Sequence, residues 1–151
     1  MTVRRLQVRA GPERLPGPSM DLAQTEKPGG RAVRVLIVDD DPYFRLAVAT
    51  TLAHDDNLEF IVGEAGDGQA ALDAIEQHEP DAVILDLRMP HLDGIAVAEV
   101  IAERWPRVRI VMVTGFDSEE ERERAQRAGI QTFISKAKLS DYRLSELLTD
   151  G

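Results

Sequence analysis

Residues 33–42 read VRVLIVDDDP, a short apolar run that stops at three consecutive carboxylates and a proline. Runs this short, rich in Val and without polar alternation, are typical of strands that are buried on both faces of a parallel sheet. Asp41 followed by Pro42 is typical of a helix start, with the carboxylate as N-cap and proline at the first helical position. The stretch therefore predicts a strand, a turn that carries Asp39 and Asp40, and then a helix.

The same alternation of apolar runs and helical periods continues along the chain. The four further runs of strand length are residues 60–64, 82–85, 108–113 and 132–135. The helical periods cover residues 42–53, 69–77, 93–105, about 117–129 and about 140–148. Five successive β-α units predict an α/β fold, a doubly wound five-stranded parallel sheet with helices on both faces. Ligands of such folds bind at the carboxyl ends of the strands.

Composition divides the 151 residues into an arm and a domain. Residues 1–31 have six basic and three acidic side chains, four prolines and four glycines, which predicts a disordered arm. Residues 32–151 have twelve basic and twenty-four acidic side chains, so this domain is expected to repel nucleic acid. The chain has no cysteine, which excludes disulfides, and no apolar run approaches the ~20 residues that cross a bilayer. We therefore expect a cytoplasmic protein without direct contact to nucleic acid or to a membrane.

Polar side chains stand at the ends of three further predicted strands. Asp86 ends the third strand, Thr114 the fourth, and Lys136 follows the fifth. Because the ends of neighbouring parallel strands meet at one edge of the sheet, we expect Asp86 beside Asp39 and Asp40. Three carboxylates favour a hard cation such as Mg²⁺, and a carboxylate held against it can attack a phosphoryl group. The hydroxyl and the ammonium group are suited to binding and neutralising phosphoryl oxygens.

This set of strand-end residues resembles that of the receiver domain of two-component response regulators. The resemblance covers about residues 33–148 and rests on Asp39, Asp40, Asp86, Thr114 and Lys136. The motifs MPHLDG at residues 89–94 and EAGDG at residues 64–68 support it. The resemblance implies a flavodoxin-like fold with the strand order 2-1-3-4-5.

The resemblance also implies a role for each site residue. Asp86 would be the phosphoacceptor, and Thr114 and Lys136 would engage the phosphoryl group. The implied Mg²⁺ ligands are Asp39, Asp40, Asp86 and the backbone carbonyl of Arg88. The implied switch residues are Thr114 and Phe133, although the pattern fits a buried strand aromatic equally well at Phe133.

Two features bear on the geometry of the site and on the lifetime of the phosphoryl group. Many family members have a proline after the lysine, joined by a cis bond. Here Ala137 follows Lys136, and we expect a trans bond because a cis bond to a non-proline residue costs roughly 3 kcal/mol. Arg88 and Phe116 occupy positions at which the family tunes phosphoryl lifetime, and we expect them to shield an aspartyl phosphate from water.

The predicted helix over residues 117–129 is polar on nearly all sides. Ser118 and Glu121 have the spacing of a capping box, and Ala125 is one of the few apolar side chains. A helix of this kind is held weakly, so it could shift when a phosphoryl group attracts Thr114. A solvated charged face is the alternative interpretation.

These expectations together describe a stand-alone receiver domain. It would accept a phosphoryl group on Asp86 from a sensor histidine kinase or a phosphotransfer protein. A conformational change would then carry the signal to a downstream protein target, with the domain a monomer or a weak phosphorylation-dependent dimer. No enzymatic activity is expected beyond self-catalysed phosphotransfer and autodephosphorylation.

Two alternatives stay open. A haloacid-dehalogenase-type phosphatase is one, because residues 39–43 read DDDPY and resemble D-x-D-x-T, although Tyr43 departs from that pattern. The receiver fragment of a DNA-binding response regulator is the other.

Overall fold

The computed structural model describes residues 2–4, 32–90 and 92–149, which form one central sheet with helices packed on both of its faces and a short two-stranded antiparallel sheet of Arg88–Met89 and Leu92–Asp93. Five strands run parallel: β1 (Val33–Val38), β2 (Phe60–Ala65), β3 (Ala82–Asp86), β4 (Arg109–Thr114) and β5 (Thr132–Ser135). Their order across the sheet is β2-β1-β3-β4-β5, so the predicted fold class and strand order are confirmed.

Five α-helices lie within the described residues: α1 (Pro42–Ala53), α2 (Gly68–His78), α3 (Gly94–Arg104), α4 (Glu119–Arg127) and α5 (Leu144–Thr149). Helices α1 and α5 pack on one face of the sheet, and α2, α3 and α4 pack on the other. Each face buries its own apolar cluster, which explains why the strands read as continuous apolar runs.

The end of the chain differs from the sequence prediction of one helix over residues 140–148. A 3-10 helix covers Lys136–Asp141, and α5 begins only at Leu144. The hydroxyl of Ser135 accepts a hydrogen bond from the backbone N–H of Ala137 at 3.2 Å, and this bond caps the 3-10 turn directly after β5. The first helical turns after β5 therefore have 3-10 geometry, because the chain is capped there as soon as the strand ends.

Four helices begin at a polar N-cap side chain, as their sequences require. Asp41 accepts a hydrogen bond from the second following backbone N–H at 2.9 Å, and Pro42 opens the helix, which confirms the predicted start of α1. Asp67, Asp93 and Ser118 cap α2, α3 and α4 in the same manner. These caps fix the points at which the loops at the carboxyl edge of the sheet turn into helices.

A sixth strand of the central sheet, Thr2–Arg4, pairs antiparallel with Val62–Glu64 at the outer edge of β2. The expectation of a disordered arm over residues 1–31 differs from the structure at these three positions. An exposed edge strand has unpaired backbone groups, and this strand pairs with them. Residues 5–31 lie outside the described residues, so that part of the expectation stays a prediction. Within the described part of the chain, no helix has the length and the apolar character that membrane crossing requires.

Candidate functional site

Three carboxylates predicted to meet at the carboxyl edge of the sheet do lie together. Asp39 follows β1 and Asp86 ends β3, and the neighbouring register of Val38 opposite Leu85 brings the two strand ends side by side. One carboxylate oxygen from each of Asp39, Asp40 and Asp86 lies within 4.8 Å of the others. Asp39 and Asp86 are buried, with 0% and 4% of their surface exposed, whereas Asp40 is exposed. The cluster thus combines two buried carboxylates with one that is exposed to solvent.

Lys136 contacts two of these carboxylates from the end of β5. Its Nζ lies 2.6 Å from Oδ2 of Asp39 and 3.8 Å from Oδ1 of Asp86. The contact with Asp39 is an ion pair without hydrogen-bond geometry, and Oδ2 of Asp39 accepts no hydrogen bond within the described chain. The other oxygen of Asp39 accepts from the backbone N–H of Asp41 at 2.8 Å. The peptide bond from Lys136 to Ala137 is trans, as predicted.

Burial and the neighbouring charges change the acidity of Asp86. Burial is the largest cause that raises its pKa, the negative charges of Asp39 and Asp40 act in the same direction, and the net result is a rise from 3.8 to about 6. Lys136 and a backbone hydrogen bond from Arg88 act in the opposite direction but do not compensate. Three carboxylates thus face a single ammonium group, and the site is short of positive charge.

This donor set fits a hard divalent cation. Carboxylate oxygens are the ligands that Mg²⁺ prefers, and it commonly keeps several waters while binding one or two carboxylates. The buried Oδ2 of Asp39 accepts no hydrogen bond in the described chain, and its contact with the Lys136 ammonium leaves a lone pair that a metal ion can use. The exposed Asp40 marks the side from which a hydrated ion can enter. The cluster therefore meets the chemical requirement for Mg²⁺.

Gly94 brings helix α3 directly against the end of β3. A Cβ atom at this position would lie 2.3 Å from the carbonyl oxygen of Asp86 and 2.8 Å from that of Leu87. The N–H of Gly94 donates to the Leu87 carbonyl at 2.8 Å. Both neighbours are backbone atoms that cannot give way, so only glycine fits here. This contact fixes the backbone that carries the Asp86 side chain.

The predicted switch residues lie on the two strands beyond Asp86. Thr114 is fully buried at the end of β4, and its hydroxyl donates to the Phe116 carbonyl at 3.0 Å. The backbone N–H of Phe116 donates back to the same hydroxyl at 3.1 Å. Phe133 is half-buried on β5, where the guanidinium of Arg122 lies 4.8 Å from its ring centroid. The Thr114 hydroxyl is therefore engaged by its own loop, and Phe133 contacts helix α4.

The two residues expected to shield a phosphoryl group point elsewhere in this structure. Phe116 is 65% exposed. The guanidinium of Arg88 forms an ion pair with Glu121 on α4.

The capping box predicted for Ser118 and Glu121 is only half formed. The Glu121 N–H donates to the hydroxyl of Ser118 at 3.1 Å. The Glu121 carboxylate pairs with Arg88 and Arg124 instead.

Sequence reasoning missed two residues that support the site from α1. Nζ of Lys136 lies 4.3 Å from the ring centroid of Phe44, a partly buried residue that also packs against the apolar cluster beneath α1. Arg45 donates to the backbone carbonyl of Asp39 at 2.6 Å and to the carboxylate of Glu64 at 3.1 Å. The one available signal was their position, within one helical turn of the carboxylates after β1.

One protein family and several known proteins are similar to this chain in sequence. A family model described as the response regulator receiver domain matches residues 35–148. The transcriptional regulatory protein PdtaR of Mycobacterium tuberculosis is 43% identical over 116 residues, which cover 76% of this chain and 53% of that protein. The response regulator protein VraR of Staphylococcus epidermidis is 31% identical over 105 residues, 70% of this chain and 50% of VraR. The chain thus spans about half the length of the curated relatives it matches.

Solved structures agree with the fold. The signal receiver domain of the putative response regulator NarL from Mycobacterium tuberculosis is 34% identical with a TM-score of 0.65, covering 78% of this chain and 90% of that one. The chemotaxis protein CheY4 of Vibrio cholerae is 27% identical with a TM-score of 0.63, covering 78% of this chain and 93% of that one.

Proposed function

The chain belongs to the response regulator receiver domain family, and from this premise we propose that Asp86 accepts a phosphoryl group from a phosphohistidine. Receiver domains interact with histidine kinases or phosphotransfer proteins and with downstream targets. The observation that carries the proposal is the position of the Asp86 carboxylate. It is buried at the carboxyl edge of the sheet, beside two further carboxylates and 3.8 Å from an ammonium group.

The transfer step follows from this arrangement. An oxygen of Asp86 attacks phosphorus while the bond from phosphorus to the imidazole nitrogen breaks, and the imidazole leaves with the electron pair. The Lys136 ammonium, near both Asp39 and Asp86, offsets the charge on the phosphoryl oxygens in the transition state. The acyl phosphate so formed is a signalling state rather than the product of a turnover cycle.

Receiver domains bind Mg²⁺ at an acidic pocket, and in this chain the proposed ligands are the three clustered carboxylates and the carbonyl of Arg88. When bound, Mg²⁺ supplies charge neutralisation at the phosphoryl oxygens. The proposed ligand side chains are Asp39, Asp40 and Asp86.

The signal would leave the site through Thr114. Its hydroxyl donates to the Phe116 carbonyl, so donation to a phosphoryl oxygen requires that this bond breaks. The loop from β4 to α4 would then move, and α4 with it. Because Arg122 of α4 rests on the Phe133 ring, a shift of this helix would change the environment of Phe133. The output would thus reach a protein target over the surface near α4 and β5.

The proposal also covers the size, location and assembly of the protein. We propose a stand-alone cytoplasmic receiver domain over residues 32–151 that acts as a monomer or a weak phosphorylation-dependent dimer. The receiver of a longer regulator is the second candidate, because the curated relatives are about twice the matched span. An immunoblot of the native protein from its own cells separates the two, since an attached output domain adds to the mass of 16.7 kDa.

Intact-mass analysis after incubation with acetyl phosphate and Mg²⁺ tests the proposed acceptor. The wild-type protein should gain one labile phosphoryl group, and Asp86→Asn should gain none. Asp56→Asn, which removes an exposed carboxylate away from the site, should behave as wild type. An adduct that persists in Asp86→Asn would refute the assignment. Sustained release of phosphate from phosphate esters would instead support the phosphatase alternative.

A further inference from the structure

Four charged residues join the loop after β3 to helix α4. Arg88 pairs with Glu121, Nη1 of Arg124 lies 2.9 Å from Oε1 of Glu121, and Nη2 of Arg124 lies 2.5 Å from Oδ2 of Asp93. Asp93 is also the N-cap of α3, through its other oxygen. We call these four residues the α4 network. It attaches α4 to the segment that directly follows Asp86.

Glu121 is the buried centre of the α4 network. Only 8% of its side chain is exposed, so its carboxylate needs cationic partners to offset the loss of water. It has two such partners, Arg88 and Arg124, and the second is anchored in turn by Asp93. Glu121 would therefore keep one cation if the other left. The α4 network can release one arginine without leaving a buried charge unpaired.

Arg88 is the arginine that can leave. Its side chain is 61% exposed and it stands two residues after Asp86. Arginine binds phosphate oxygens through its planar fork, and a phosphoryl group brings nearly two negative charges and three acceptor oxygens. A phosphoryl group on Asp86 would thus compete with Glu121 for one guanidinium.

We propose that Glu121 is a positioning residue, an inference that rests on the proposed function. By binding Arg88, Glu121 keeps the guanidinium away from a phosphoryl group on Asp86. Glu121 thereby sets the rate at which that group hydrolyses. In hydrolysis, a water oxygen attacks phosphorus, the bond from phosphorus to the Asp86 oxygen breaks, and inorganic phosphate and a proton are released. A guanidinium forked over the phosphoryl oxygens covers an approach of this water and stabilises the phosphorylated state. A stronger ion pair between Glu121 and Arg88 therefore shortens the lifetime of the phosphoryl group.

The test is the decay of the phosphoryl adduct after acetyl phosphate is removed, followed by intact mass. Glu121→Gln keeps the shape of the side chain and removes its charge, and should lengthen the half-life about threefold, as expected for the loss of an ion pair whose arginine is largely exposed. In an Arg88→Gln background, Glu121→Gln should leave the half-life unchanged. Glu120→Gln, which removes the same charge from the exposed neighbour, is the matched control and should decay as wild type.

The double variant separates positioning from a general structural role. A structural role of Glu121 would change the half-life by the same factor with and without Arg88, and that result would overturn the proposal. An unchanged or shortened half-life in Glu121→Gln would overturn it as well. If the wild-type protein gains no phosphoryl group at all, the proposed function itself fails, which the first mass measurement shows before any decay is followed.

A second measurement examines the α4 network without any phosphoryl group. Amide hydrogen exchange over residues 119–127 should be faster in Arg88→Gln and in Glu121→Gln than in wild type, and unchanged in Glu120→Gln. Unchanged exchange in Arg88→Gln would show that Arg88 does not hold α4 in solution, and would overturn the proposal even where phosphorylation succeeds.

Discussion

Replacement of Asp86 by asparagine should stabilise the metal-free protein above pH 6. Burial and the neighbouring Asp39 carboxylate raise the pKa of Asp86 from 3.8 to about 6 in the folded state. Between these values the folded protein binds a proton that the unfolded chain has lost, so the free energy of unfolding falls as pH rises. Above pH 6 the buried carboxylate is charged, and burial of this charge lowers the free energy of unfolding. The amide of the variant is neutral, so the variant does not lose this stability.

The magnitude follows from the same two pKa values. Each pKa unit corresponds to about 1.4 kcal/mol, so the full effect is at most about 3 kcal/mol. The site is open to solvent beside Asp40, and screening there reduces the expected gain to about 1 to 2 kcal/mol. The gain should be largest at pH 8 and small at pH 4, and it should reach zero only below pH 3.8, where the carboxyl group is protonated in the unfolded chain as well as in the folded protein.

Urea unfolding in EDTA at pH 4, 6 and 8 measures this gain for Asp86→Asn against wild type. Asp56→Asn, at an exposed position, controls for the general effect of removing one negative charge from an acidic domain. A gain that does not depend on pH, or a loss of stability at pH 8, would refute the reasoning from buried charge.

Two further predictions concern the cation site and its backbone. Lys136→Met should bind Mg²⁺ roughly tenfold more tightly by calorimetry, because the ammonium 2.6 Å from a ligand carboxylate opposes the metal by about 1.4 kcal/mol. Lys138→Met, at an exposed position, should match wild type, and equal affinity in both variants would contradict the assignment of that carboxylate as a ligand. Gly94→Ala should lower the free energy of unfolding by about 2 to 3 kcal/mol, because its Cβ would lie 2.3 Å from a backbone oxygen. Gly115→Ala, whose Cβ meets nothing within 4 Å, should be near neutral in the same urea titration, and similar losses in both variants would exclude the steric cause.

The sheet and the positions of the strand-end residues follow from the order of residues along the chain. Apolar runs of strand length, separated by helical periods, specify parallel strands that are buried on both faces, and parallel strands end at a common edge. This is why the approach of Asp86 to Asp39 and Asp40 could be predicted from chain positions alone. The N-cap at Asp41 was equally local, since the residues that form it are adjacent in the chain.

The pairing of charged side chains, in contrast, depends on tertiary packing. Arg88 and Glu121 are 33 residues apart, and sequence spacing gave Glu121 a nearer partner in Ser118. The packing of α4 beside the β3 loop determined the outcome, because a carboxylate buried there gains more from two guanidinium groups than from a cap. The position of Phe44 beside Lys136 has the same origin. Hydrophobic periodicity is a local property of a chain and can be read from the sequence. Which charged side chains form ion pairs depends on how the helices pack against each other and against the sheet.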